Sequence, residues 1–209
     1  MTRRELLNAT GLDNGGLFSK TLDDLEHCGF VRKYRFPGKV ERDAFWQRVD
    51  PFTLFHLQFL ADKAKRDRGN WLAIATSPTC TAWSGLAFEQ LCLLHVGQIK
   101  SALGISGVAT SVYAARIPSG SNGEPGAQID LALDRADGIV NLCEMKFAAK
   151  PYSISEKYRS EIIDKVEAWH RAFGYGKAVH VTFVTAQGIR PGGGSDVVQS
   201  EVRLADLLR

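Results

Sequence analysis

Strand-like apolar residues (Leu131, Leu133, Ile139, Val140, Leu142 and Phe147) punctuate the stretch QIDLALDRADGIVNLCEMKF, residues 128–147, and predict two strands joined by a tight turn. The polar positions set into that pattern are Asp130 on the first strand and Glu144 and Lys146 on the second. Residues i and i+2 of a strand share a face, so Glu144 and Lys146 point the same way. The register follows by counting. A two-residue Asp137-Gly138 turn places Asp130 opposite Met145, on the wrong face. A three-residue loop, Ala136-Asp137-Gly138 with Gly138 left-handed, places Asp130 opposite Glu144. The expectation is that loop, or a bulge restoring the same register.

The pattern before this hairpin changes character. Thr2 to Ala9 predicts a short helix with Thr2 as N-cap. A Gly-rich turn follows at residues 11–16. Leu17, Phe18, Thr21, Leu22, Leu25 and Cys28 form a helical apolar stripe ended by Gly29. Phe30 to Phe36 alternates like a strand, Pro37-Gly38 turns, and Ala44 to Val49 returns. Helix, turn, helix and two-stranded ribbon is a winged helix-turn-helix pattern. Arg32, Lys33, Arg35 and Lys39, with Arg42, make the ribbon basic, as a phosphate-contacting wing would be. Asp23, Asp24 and Glu26 on the second helix leave it few donors for base edges. DNA contact and protein docking both stay open for this module.

Phe52 to Ala64 predicts a helix burying Phe52, Phe55, Leu57, Phe59 and Leu60, with Lys63, Lys65, Arg66 and Arg68 at its charged end. The domain division is expected between residues 70 and 71. Beyond it, Trp83 to Val96 is a strongly apolar helix whose one acidic residue is Glu89. A carboxylate there is costly unless paired, wet or metal-bound; an exposed surface glutamate is the alternative. Ser111 to Ile117 predicts a strand, and Pro118 to Gly126 a loop. Ser155 to Phe173 is an amphipathic helix with Lys157, Tyr158, Arg159 and Lys165 toward its polar side. Ala178 to Thr185 is a buried strand, and residues 201–208 close the chain. Helix, three strands, helix, strand is an α/β order with a central mixed sheet.

Composition changes this picture little. Of the 209 residues, 44% are hydrophobic and 23% charged, ordinary for a globular protein, and no apolar run reaches a membrane span. The N-terminus lacks a secretory pattern, so the expected location is the cytoplasm. Cys28, Cys80, Cys92 and Cys143 are scattered and read as buried apolar thiols, not as a zinc or disulfide framework. His95 and His170 read as structural. No Gly-rich loop ends in Gly-Lys-Ser/Thr, which excludes a P-loop ATPase site within these residues. Net charge is +3, and the surplus lies in residues 1–70, with 13 Lys/Arg against 10 Asp/Glu.

Two carboxylates and an ammonium on one face can hold a divalent cation and stabilise developing negative charge. Charges that merely face water from a solvated hairpin are the competing reading. Glu on the first helix, Asp on one strand and Glu-x-Lys on the next resembles the PD-(D/E)XK nuclease superfamily over roughly residues 83–209. The resemblance implies that Asp130 and Glu144 ligate Mg²⁺ or Mn²⁺. It implies that Lys146 orients or helps deprotonate the attacking water and stabilises the charge that forms, and that Glu89 supports the metal site. Ile129 stands where the motif's name has proline. Lys157 or Tyr158 would supply the polar residue that members place on the following helix.

The stretches TGLDNGGLFSKTLDDLEHCGFV, RVDPFTLFHLQF, TAWSGLAFEQLCL and QIDLALDRADGIVNLCEMKF, with Val202 to Leu208, resemble the C-terminal half of archaeal-type AAA ATPases. In that family an ATPase domain precedes a winged helix and a nuclease-like domain. The resemblance implies a chain without its ATPase domain and without the helix that opens the winged helix, either a truncated product or a fragment. Two functions stay open. One is metal-dependent DNA hydrolysis; the other is a non-catalytic DNA- or protein-binding module serving an ATPase domain or partner protein.

Overall fold

The Thr2 side chain accepts a hydrogen bond from the Glu5 N–H, and the Glu5 carboxylate accepts one from the Thr2 N–H. This capping box opens α1, Arg3–Thr10. The computed structural model describes residues 1–34, 44–61, 71–120 and 123–209. They divide into two units, Met1–Thr81 and Ala82–Arg209.

In the first unit, α2 (Gly16–His27) ends in a Schellman closure. Gly29, at φ +76°, donates to the Glu26 carbonyl, and Phe30 donates to that of Leu25. β1 (Val31–Tyr34) and β2 (Phe45–Arg48) pair antiparallel. Phe18, Leu22 and Trp46 form the small core beneath them. Leu17 is not in that stripe. It is 80% exposed, because it lies about 100° round the helix from Phe18. Cys28 is exposed too, contrary to expectation, since the chain is leaving the helix there.

The helix expected from Phe52 is interrupted. α3 (Pro51–Phe55), capped by Asp50, runs into a π-helical turn, His56–Leu60, whose wider Ala61 N–H to His56 carbonyl bond re-aims the side chains. Phe59 is buried, while Phe52 and Leu57 stay exposed. α4 (Trp71–Ala75) follows, and Trp71 meets Phe55 and Phe59 edge-on.

The second unit is a mixed α/β fold. Its elements are α5 (Pro78–Leu94, across the division), α6 (Val96–Ala102), β3 (Thr110–Ile117), β4 (Ala127–Arg135), β5 (Ile139–Lys146), α7 (Glu156–Phe173), β6 (Ala178–Thr185), a 3₁₀ turn (Gly193–Val197), β7 (Ser200–Arg203) and α8 (Leu204–Leu207). The sheet order is β3-β4-β5-β6-β7, antiparallel at the first two junctions and parallel at the last two. The crossover of α7 joins the parallel pair β5 and β6, as such pairs require.

One sheet face packs on α7: Ala132, Val140 and Leu142 cluster with Ala168 and Trp169, and Tyr113 stacks on Trp169. On the other face, Phe88 of α5 meets Phe147, which shares the parity of Cys143 and Met145. Helices thus flank both faces. No helix among the described residues is long and apolar enough to cross a membrane.

Candidate active site

Gly138 adopts φ +86°, and the paired residues run from Asp134 opposite Val140 to Leu131 opposite Cys143. The connection is therefore the three-residue loop, and the next step of the count sets Asp130 opposite Glu144. A feature not visible in the sequence lies on the other edge of β4. Its partners in β3 step from Tyr113–Ala132 to Ala115–Ile129, so β4 carries one extra residue at Asp130-Leu131. Such a bulge re-aims side chains and is favoured beside functional sites. It brings Ala127 and Ile129 into the same cluster as Ala132 and frees Asp130 from strict alternation.

Glu144 and Lys146 lie side by side as expected, with Lys146 Nζ 3.7 Å from Glu144 Oε2. Glu144 is only 4% exposed, and burial at that depth demands partners. α7 supplies them. The Tyr158 hydroxyl donates to Oε2 at 2.6 Å, and Lys165 Nζ donates to Oε1. Tyr158, Ile162 and Lys165 follow the i, i+4, i+7 spacing of one helix face. That face turns toward the sheet, so Tyr158 and Lys165 leave the polar side on which the sequence pattern sets them. Lys157 stays exposed and pairs with Glu161 at 4.0 Å; of the two residues expected to serve from this helix, only Tyr158 reaches the site. The Lys146 ammonium also sits 4.8 Å from the centre of the Tyr158 ring. Burial, then the Glu144 charge, pushes the Tyr158 phenol well above its usual range, so it remains a neutral donor.

Asp130 and Glu89 complete the cluster. Burial raises the Asp130 carboxyl, the Glu144 charge raises it further, and Lys165 and Lys146 oppose both. Gln128 Nε2 donates to Asp130 Oδ1 at 3.3 Å. Burial lifts Glu89 to about 7, Asp130 and Glu144 add to the rise, and Lys146 opposes it. Glu89, Asp130, Glu144 and Lys146 therefore act on one another's charge. Lys165, not foreseen from the sequence, belongs with them; an inward face drawn from Tyr158 through Ile162 was the signal for it.

Among the described residues, no three His, Cys, Asp or Glu side chains converge as a ready ligand set. Mg²⁺, however, is commonly held by one or two carboxylates with water completing its shell. The hard oxygen donors of Asp130 and Glu144, crowded so that Glu144 raises the Asp130 carboxyl, fit such an ion.

The basic ribbon is only partly placed. Arg32 and Lys33 are neighbours on β1 and so point to opposite faces; Lys33 Nζ lies 5.5 Å from the Trp46 ring centre. Arg35 and Lys39 lie outside the described residues.

No family model matches the chain, and no curated protein matches it. Among solved structures it is similar to a protein of unknown function (TM-score 0.36, 15% identity, 53% of this chain and 56% of that one). It is also similar to a repair endonuclease from Pyrococcus abyssi (TM-score 0.33, 14% identity, 53% of this chain and 44% of that one). The match spans about half the length of each structure. Likenesses this distant carry no weight for the chemistry, which rests on the side chains.

Proposed function

We propose that residues 82–209 form a nuclease-like domain that hydrolyses DNA phosphodiesters with Mg²⁺ or Mn²⁺, on the PD-(D/E)XK plan. The observation that carries this reading is buried Glu144 beside Lys146 on β5, with Asp130 set opposite Glu144 by the hairpin register next to a bulge in β4, and with Glu89 of α5 feeling the charges of all three. Asp130 and Glu144 would hold the cation, and Glu89 would steady the site through water. When bound, the cation supplies charge neutralisation at the phosphate and acidity toward the attacking water. Lys146 orients that water and offsets the charge growing on the phosphoryl oxygens. The water oxygen bonds to phosphorus, one P–O ester bond breaks, and the leaving oxygen takes up a proton.

In this reading the first unit is a winged helix-turn-helix-like module. Arg32, Lys33, Arg35 and Lys39 would contact phosphates, and the whole chain would correspond to the C-terminal half of an archaeal-type AAA ATPase. A second reading has one observation in its favour: Glu144 is buried with both oxygens engaged by Tyr158 and Lys165, as in a purely structural ion-pair network. The domain would then be a scaffold that binds DNA or a partner protein without cutting.

Supercoiled plasmid incubated with Mn²⁺ or Mg²⁺ separates the two. Wild type should nick it, and Lys146→Ala and Glu144→Ala, checked for native circular dichroism, should lose the activity by on the order of a hundredfold or more. Cation-independent nicking, or nicking retained in both variants, would remove the hydrolytic assignment.

A further inference from the structure

Lys165 reaches Glu144 from α7, eight residues beyond the helix's exposed Lys157, and donates to Oε1, the carboxylate oxygen that Tyr158 does not engage. Its side chain is 24% exposed, against 5% for that of Glu144. The ammonium therefore has a path to water, while the carboxylate has little. A buried carboxylate must be neutralised by something. Two lysines do it, Lys146 at 3.7 Å and Lys165 in direct contact.

We infer that Lys165 is a built-in counter-ion that competes with the divalent cation for Glu144, so that cation binding releases the Lys165 ammonium toward solvent and substrate. The inference rests on the cation reading proposed above and adds to it a residue and a regulation. A divalent cation and the Lys165 ammonium drawn to the same Glu144 carboxylate repel each other, so each weakens the other's hold on it. Asp130 is raised by the charge of Glu144 and lowered by that of Lys165, so all three share one field. Tyr158 keeps its bond to Oε2 and holds the Glu144 side chain in place during the exchange. A lysine on a flexible four-carbon stem, partly exposed, can change partners without moving the helix backbone. Linkage then fixes two consequences of equal size. Removing the Lys165 charge tightens cation binding, and binding the cation loosens Lys165.

The test is Mn²⁺ titration by calorimetry on the full chain, with Lys165→Gln and Lys165→Arg beside wild type. It is paired with mass-spectrometric measurement of Lys165 acetylation by a water-soluble ester, with and without Mg²⁺. Lys165→Gln should bind Mn²⁺ tighter by on the order of tenfold, within the usual range of coupling between competing ligands. Lys165→Arg, which keeps the charge, should not gain. Lys165 in wild type should be acetylated several times faster with Mg²⁺ present, relative to exposed Lys157. Unchanged Mn²⁺ affinity in Lys165→Gln would overturn the competition, as would a gain in affinity with no change in Lys165 labelling. Absence of cation binding in wild type and both variants would instead remove the metal site itself. The arginine variant guards against misfolding, and the labelling needs no variant.

Discussion

Glu89 carries the clearest pH signature of any side chain in the cluster. Burial, then the Asp130 and Glu144 charges, lift its carboxyl from 4.5 to about 7, and Asp130 is raised in the same sense. An acid raised by folding holds its proton in the native state while the unfolded chain has released it. Native stability in the absence of cation therefore falls as pH rises from about 4.5 through about 7 and levels off above. Glu89→Gln removes that group's share of the penalty. The variant should match wild type near pH 4 and exceed it at pH 8 in chelator-treated urea denaturation. Equal stability at both pH values would show that Glu89 is well solvated and outside the cluster.

At the level of elements, the β4–β5 hairpin and α7 make the site, and they differ in how far the sequence announces them. The loop was legible because Gly138 and the spacing of Asp130 and Glu144 admit one register. Gly138→Ala forces a side chain into φ +86° and should cost about 1 kcal/mol, lowering the urea midpoint of the second unit. An unchanged midpoint would mean the loop tolerates that backbone. The bulge at Asp130-Leu131 was not legible, because neither residue is a glycine or otherwise marks a break. The role of α7 was half legible. Its helical period shows plainly, but Tyr158 and Lys165 are polar, and a polar residue facing inward is recognised only once a buried carboxylate is found opposite it. β7 escaped for a different reason: four residues with only Val202 buried give no measurable alternation. Between α3 and the residues after it, the π-helical turn breaks the 3.6-residue period, so Phe52 and Leu57 do not share the buried face of Phe59, which no 3.6-residue pattern can anticipate.

Across the whole molecule, a small basic surplus in the first unit accompanies, in the second, the ion pairs of Glu144 with Lys146 and Lys165, whose field reaches Asp130 and Glu89. If the first unit supplies phosphate contacts, DNA affinity should fall with added salt, and Arg32→Ala should reduce the slope of log affinity against log salt by about 1. An unchanged slope would remove Arg32 from the DNA surface and leave β1 free for a protein partner. Cleavage and binding are separable in this scheme, because the groups proposed for each lie in different units. The central claim concerns the second unit, and the Asp130 charge is its most specific element, since the β4–β5 register sets it opposite Glu144, beside a bulge in β4. The deciding measurement is the rate at which wild type and Asp130→Asn cut supercoiled and single-stranded DNA across a Mn²⁺ series. The account predicts cutting that rises with Mn²⁺ and falls by on the order of a hundredfold in the near-isosteric variant. Well-folded wild type that leaves both substrates intact, or a variant that cuts as fast, would contradict it.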